Sequence, residues 1–510
     1  MKNIQTYIKL GCVIFLSSLI SCNNFDDINS NPDATTEVSA SMLCTNIVLN
    51  VTRYSGRDSK AFITESALSK YLGYANEGQL SEQYNRIGRS SFSMMTILPN
   101  IDQMIKYAEG SIYENSYKGV GSFARAYTFF KLSMEMGDIP HSEANKGKEG
   151  IYKPKYDRQE EIFVNILNDL KDADRYFAEG REFTGDPTPY NGDPVKWRKA
   201  TNAFSLKVLM LLSKKESEAS LEVKKRFSDI VQSGNLMDAT TGYFGLKYSS
   251  INKHPVSGTN DQFTSRTVIS TLLIDNLKAL NDRRMFYFTE PAQAQIFAGK
   301  KADDVDAYIG VDVSTDYSTM NAGHRAGQYS LLNLRYLKED ACEPRLLLTF
   351  AEQQLILAEA RILGWINTGN AQDYYESGVK AALTSMMENA NAAFAHEKAI
   401  DQSYIDNYFT GEAAFKATTA EQLKQIWMQR YILNFMQDAP TSFFEYRRNK
   451  YPEFPINPET SLNENNKNGI PMRWLYPSNE STRNRDNLEE ALNRQYEGYD
   501  EINKLMWLLK

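Results

Sequence analysis

Histidine, cysteine and long apolar runs are all scarce in this chain, and each shortage removes a class of function. The four histidines among 510 residues, His141, His254, His324 and His396, share no ligand spacing. His396-Glu397 begins a zinc-protease pattern, but Ile400 stands where the second histidine ligand is required. No transition-metal site follows. Of four cysteines, Cys12 and Cys22 lie in or beside the leader, leaving Cys44 and Cys342. These two either form one disulfide or stay as buried thiols, and the second reading is preferred. Lysine and arginine, 57 against 64 acids, are scattered without the basic stripe that nucleic acid requires. The apolar run Leu10–Ile20 is far shorter than the ~20 residues of a membrane span.

That short run has another meaning. Lys2 and Lys9 precede it, and it ends in Leu19-Ile20-Ser21-Cys22. A charged start, a brief apolar core and a small residue before cysteine make a secretory signal of the lipoprotein type. Residues 1–21 are read as the signal peptide, with Cys22 receiving the lipid. The polar stretch 22–41, with Asn29, Asn31 and Pro32, is read as its tether.

From Met42 onward the apolar residues recur at helical spacing, so an all-α domain over 42–510 is expected. Leu98, Ile101, Met104 and Ala108 form one stripe closed by Gly110; Phe123, Ala126, Tyr127, Phe130 and Met134 form the next, closed by Gly137. The polar residues Tyr113–Lys118 are expected to be the turn between them. Asp157 and Glu160 predict a capping box, and Asp193-Pro194 another helix start. Helices are also expected over 266–280, from Pro344 to Ile362, over 371–387, and from Thr418 with Glu421 completing its cap. Paired helices in succession suggest a tetratricopeptide-like scaffold, although the consensus of that repeat is not matched. Residues 239–340 interrupt the rhythm with glycines, aromatics and polar loops, which marks a functional insert.

Several chemical patterns reduce to structural ones. Gly119-Val120-Gly121-Ser122-Phe123-Ala124 fits the dinucleotide fingerprint, but no strand precedes it. Asp303, Asp304 and Asp306 lack the glycine of an EF-hand loop, so a solvated acidic turn is expected rather than calcium. Paired carboxylates for glycoside hydrolysis are defined by their separation in space, so no catalytic residue is assigned.

Aromatics are the abundant class, with 30 Tyr, 25 Phe and 5 Trp. A tyrosine on an irregular segment can stack on a sugar ring, while amides and guanidinium groups bond its hydroxyls. Tyr71, Tyr74 and Tyr84, with Asn76, Gln79 and Arg86, fall in a polar stretch before the first strong hairpin.

The stretch Phe123–Phe130 running into Met136-Gly137-Asp138-Ile139-Pro140 resembles the helix and exit of SusD/RagB outer-membrane lipoproteins. Ala358-Glu359-Ala360 with Gly364-Trp365 is similar to that family's Ala-Glu-Ala helix. Gln425-Ile426-Trp427 leading to Phe444-Glu445-Tyr446-Arg447-Arg448 resembles its next helix. Ile470-Pro471-Met472-Arg473, Tyr476-Pro477, Glu480, Asn484 and Asn487 match the C-terminal signature of the SusD-like branch.

The resemblance implies four tetratricopeptide-like pairs as scaffold and irregular segments on one side holding the ligand. It places ligand contacts around Tyr71–Arg86 and on the 290–340 loop, where Tyr308, Tyr317 and Tyr329 are the candidates. It also implies a non-catalytic, lipid-anchored protein on the outer face of the outer membrane. Such a protein captures oligosaccharides as a hinged lid over a SusC-like TonB-dependent transporter and uses no cofactor. Peptide capture, as in the RagB-like case, a surface glycoside hydrolase and a protein-binding scaffold are the alternatives.

Overall fold

A computed structural model describes residues 38–54, 59–75, 78–257 and 265–510. The signal peptide, Cys22 and most of the proposed tether lie outside the described residues. The first helix, α1, runs Ala40–Thr52, with the Ser39 hydroxyl accepting from Met42 N–H. It starts two residues before the expected domain start at Met42. Helix α2 (Ser59–Leu68) leads into strand β1 (Leu72–Tyr74).

The expected hairpin is present, but its turn is shorter than the sequence suggests. Helix α3 (Leu98–Ala108) is followed by α4 (Glu114–Met136), so Tyr113–Lys118 is almost entirely helix. Glu114 begins α4, accepts from Gly110 N–H at 2.8 Å and pairs with Lys118 one turn on, which suits the positive end of the helix dipole. The Gly-x-Gly pattern therefore sits mid-helix. A Cβ on Gly119 would lie 2.8 Å from the Phe177 ring, and one on Gly121 would lie 3.0 Å from Ile101. The pattern's glycines let helices approach closely and cradle no phosphate.

Helix α5 (Gln159–Ala178) begins one residue later than expected. Asp157 is instead engaged by the N–H groups of His141 and Ser142, and Glu161 reaches back to Arg158 N–H. Helix α6 (Pro194–Leu211) does start at the Asp193 cap, which accepts from Val195 and Lys196. Helix α7 (Val223–Ser233) follows.

Two strands replace expected helix. Residues 267–269 form β3, which pairs antiparallel with β1 in the register Leu72↔Ile269; helix α8 (Thr271–Ala279) begins only after the Ser270 cap. Arg345–Thr349 forms β4, antiparallel to β2 (Tyr243–Leu246), and helix α10 (Phe350–Ile362) begins after the Thr349 cap. Leu346-Leu347-Leu348 is a continuous apolar run, which period alone cannot assign to helix or strand. Between these, α9 spans Tyr317–Arg325. Helices α11 (Ala371–Asn389), α12 (Thr419–Leu433), α13 (Ala439–Asn449) and α14 (Arg485–Tyr496) complete the chain. The fold is thus predominantly helical, with two small two-stranded sheets among the described residues.

Helices pack as antiparallel neighbours: α3 on α4, α4 on α5, α5 on α6, and α10 on α11, with α12 against α10. Nearly all apolar residues of the expected stripes are buried, Phe123 and Phe130 among them. An ion network crosses the second half of this scaffold. Arg448 pairs with Glu359 at 2.7 Å and with Glu445 at 2.6 Å; Arg430 pairs with Glu445 at 2.8 Å and Glu359 at 3.4 Å. Lys207 joins Glu352 and Asp438 to it from α6. Burial pushes Glu445 up, but Arg430 and Arg448 together bring it below the usual carboxylate range.

The Gly-Asp-Ile-Pro exit has a comparable role. Gly137 adopts φ +90°, and a Cβ there would meet the Tyr496 hydroxyl at 2.3 Å. Asp138 pairs with Arg494 at 2.7 Å and accepts from Gln159 N–H. The motifs that carried the resemblance are joints of the scaffold.

Candidate functional site

The β1–β3 ladder brings the two candidate segments together. Ser270 bridges Val311 and Val268 bridges Leu331, so two parts of the second segment are joined to β3, which itself pairs with β1. Ala75, Val268, Val311, Val313 and Met320 form a small apolar core, and Tyr317 and Tyr329 pack against it. Asp316 caps α9 through Thr319 N–H at 3.0 Å. Bonds from the Ser318 and Thr319 hydroxyls hold its carboxyl down at about 2.

Helix α9 then presents one face outward. Tyr317, Ser318, Asn321, Ala322, Arg325 and Ala326 line an open depression of about 570 Å³. Tyr317 is half-buried, and its hydroxyl accepts from Gly78 N–H at 3.0 Å, which ties the first segment to the second. Gln79 follows on the exposed side. Tyr329 is also half-buried and lies so close to α9 that a Cβ on Gly323 would come within 2.5 Å of its ring. Arg86 is exposed and donates to the Ser81 hydroxyl at 3.1 Å. The depression thus offers a partly open aromatic ring, an amide and a guanidinium group from Tyr317, Asn321 and Arg325, a set that can stack on and bond a polyhydroxylated ligand.

A buried lysine supports this surface from below. Lys70 Nζ donates to Gln83 O at 2.6 Å and to Asn85 Oδ1 at 2.7 Å. Gln83 accepts from Tyr74 N–H and donates to Val313 O, and Tyr84 OH donates to Thr315 O. Burial pushes the Lys70 ammonium down to about 7, with Asp312 opposing part of that shift.

Four of the sequence candidates are corrected by burial. Tyr71 is fully buried, stacks on Tyr431 at 4.2 Å and donates to Tyr431 O; its rings and hydroxyl belong to the scaffold. Tyr74 is 4% exposed and Tyr84 1%, so neither offers a stacking face. Tyr308 is fully buried against Phe286, and its hydroxyl donates to Ala302 O. Gln79, Arg86, Tyr317 and Tyr329 remain at the surface, and Asn76 lies outside the described residues. Asn321 and Arg325 also line the depression and are not among the residues the sequence singled out. The Asp316 cap, followed by a polar helical face, was the available signal; nothing marked Lys70.

A larger cavity of about 760 Å³ lies between α11, β4 and α12, lined by Tyr243, Phe288, Phe350, Lys380 and Phe435 among others. Its buried charges are already engaged: Arg284 by Asp282 and Gln429, Glu343 by Arg335 and Gln437. Among the described residues no cluster of His, Cys, Asp or Glu is placed to hold a metal ion. Asp304 instead caps its own turn through Asp306 N–H. No described helix is long and apolar enough to cross a membrane. Cys44 and Cys342 are free and buried.

Residues 32–477 match the family profile described as SusD-like, starch-binding and associating with the outer membrane. A SusD homologue from Bacteroides fragilis superposes with TM-score 0.88 at 39% identity, covering 93% of this chain and all of its own. A second SusD homologue from the same organism gives 0.81 at 31%, with the same coverage. A chitin-binding protein gives 0.74 at 22% identity, over 92% of this chain and 99% of its own, which shows a shared fold. No curated protein sequence matches the chain. The resemblance read from the helix exits and the C-terminal signature is thereby established, and the relatives are binding proteins rather than enzymes. The chain belongs to the SusD-like family of starch- and nutrient-binding proteins associated with the outer membrane.

Proposed function

We propose that this protein is a lipid-anchored binder on the cell surface that captures oligosaccharides and passes them to a SusC-like TonB-dependent transporter. The observation that carries the ligand half is the open depression on α9, at whose Tyr317 the first segment is joined through the bond from Gly78 N–H. Each sugar hydroxyl exchanges water bonds for protein bonds at a net gain of only about 0.5–1.5 kcal/mol. Ring stacking therefore supplies much of the affinity, and Tyr317 and Tyr329 are the tyrosines of the candidate set with surface left to stack on. Asn321, Gln79 and Arg325 add directional bonds. The signal-like leader supports the lipid on Cys22, and the resemblance to the family supports the lid role.

Calorimetry with starch-derived and chitin-derived oligosaccharides tests the reading. Tyr317→Ala and Tyr329→Ala should each weaken binding of the best ligand about tenfold, which is 1.4 kcal/mol, with melting little changed. Unchanged affinity in both variants would place the site elsewhere. New reducing ends during incubation would favour a hydrolase, and binding of peptides alone would favour the RagB-like reading. Co-purification of a TonB-dependent transporter with the tagged lipoprotein checks the partner.

A further inference from the structure

The described chain begins at one end of the scaffold, beside apolar residues that no described element covers. Val38 and Met42 are about half exposed, and so are Tyr107 and Tyr113, while Ile112 is 73% exposed. Three hydrogen bonds join the elements that carry them. Asn100 Nδ2 of α3 donates to Asn46 Oδ1 of α1. The Thr45 hydroxyl donates to Gly185 O, and Tyr117 OH of α4 donates to Thr184 O in the same loop. The start of α1, the loop at 184–185 and the first turns of α4 are therefore joined. Ile112 and Tyr113 immediately precede α4, and Tyr107 lies in the last turn of α3.

Position and chemistry suggest what covers this end. Cys22 lies sixteen residues before Val38, a length that spans at most about 58 Å when fully extended. Val38, one member of the patch, is thus held within that distance of the leaflet carrying the lipid. Tyrosine and isoleucine beside Lys106, Lys118 and Arg175 suit the boundary between headgroups and acyl chains, where amphipathic rings and long basic side chains accumulate. Glu109 and Glu114 also lie here, so attraction to anionic lipid is not the main force. Five partly exposed side chains bind a membrane weakly from solution. A tether makes the same contact intramolecular, at an effective concentration in the millimolar range.

We propose that this end of the scaffold, centred on Ile112 and Tyr113, is a membrane-contacting surface that orients the anchored domain against its own leaflet. The inference rests on the lipid reading of Cys22. The test uses full-length protein purified from membranes, with mass spectrometry confirming the lipid on Cys22, reconstituted into phosphatidylcholine–phosphatidylethanolamine vesicles. A nitroxide is placed at Ile112→Cys and, as a reference, at Ile251→Cys; Cys44 and Cys342 are buried and do not compete. Ile251 is 96% exposed and close in sequence to His254, whose ring lies 5.9 Å from that of Tyr54, beyond the opposite end of α1. The ratio of oxygen to nickel-chelate collision should be at least threefold higher at Ile112 than at Ile251. A nitroxide at Tyr113→Cys should show the same excess, and adding Ile112→Glu to that chain should remove it. Equal ratios with the lipid present would overturn the membrane contact alone, whereas absence of the lipid would overturn the anchor reading as well. Protection of Ile112 only after a transporter is added would make this end a protein interface and would also overturn the proposal.

Discussion

Truncating Glu359 to alanine measures what the buried ion network contributes. Its carboxylate is fully buried and accepts from Arg448 at 2.7 and 3.1 Å, from Arg430 at 3.4 Å and from Trp427 Nε1 at 2.9 Å. Removing one partner of a buried pair costs about 3–5 kcal/mol, mostly because the other charge is stranded. Here Arg448 and Arg430 both keep Glu445, so about 3 kcal/mol is expected. Unfolding entropy is about 2.1 cal/mol/K per residue, or roughly 1 kcal/mol/K over a chain of this size, so Tm should fall by about 3 °C. Arg448→Met should cost more, about 4–5 kcal/mol, because Glu359 and Glu445 then share Arg430 alone. Scanning calorimetry gives both shifts, and titration with the oligosaccharide should give wild-type affinity in both variants. An unchanged Tm for Glu359→Ala would show that desolvation cancels the attraction, and that the network sets the arrangement of helices without stabilising it.

Tyr71→Ala should cost about 3–5 kcal/mol in a melt, as other large buried side chains do, since Tyr71 lies in the core. Gly119→Ala should destabilise by about 1–3 kcal/mol through contact with Phe177; a neutral result would mean that α4 and α5 can separate freely. Gly323→Ala should displace the Tyr329 ring and weaken ligand binding while leaving the melt nearly unchanged. Lys70 has a folded pKa of about 7, below its value of about 10.4 in the unfolded chain. Between these values the unfolded chain binds more protons, so stability should rise with pH from about 7 to 10, and Lys70→Met should flatten that rise. Because burial pushes the thiols of Cys44 and Cys342 up, neither should react with a thiol reagent until the chain is unfolded.

The scaffold was legible because its signals are local. The stripes Leu98–Ala108 and Phe123–Met134, the Asp193-Pro194 start and the Thr418–Glu421 cap each combine period with punctuation, and each became a helix. Errors arose where a partner distant in sequence decides the outcome. Thr267–Ile269 and Arg345–Thr349 are strands because β1 and β2 lie beside them, which no window of sequence contains. The candidate site was legible by region and not by residue. Tyr71 and Tyr317 are the same residue type in similarly polar stretches, yet one stacks on Tyr431 and the other borders open solvent. Only the tertiary fold distinguishes them.

The clamp of the last helix on Gly137 and Asp138 bears on when this protein can finish folding. Tyr496 OH donates to Met136 O, Gln495 Oε1 accepts from Asp138 N–H, and Arg494 bonds the Asp138 carboxylate, at sequence separations of 360, 357 and 356 residues. The joint between α4 and α5 thus lacks its last-helix contacts until nearly the whole chain is available, and contacts closed over such distances form slowly. A chain synthesised amino end first would leave the Gly137 joint without that clamp throughout that interval. The C-terminal segment is therefore the latch, and chains shortened before Arg494 should be taken by proteases as unfinished.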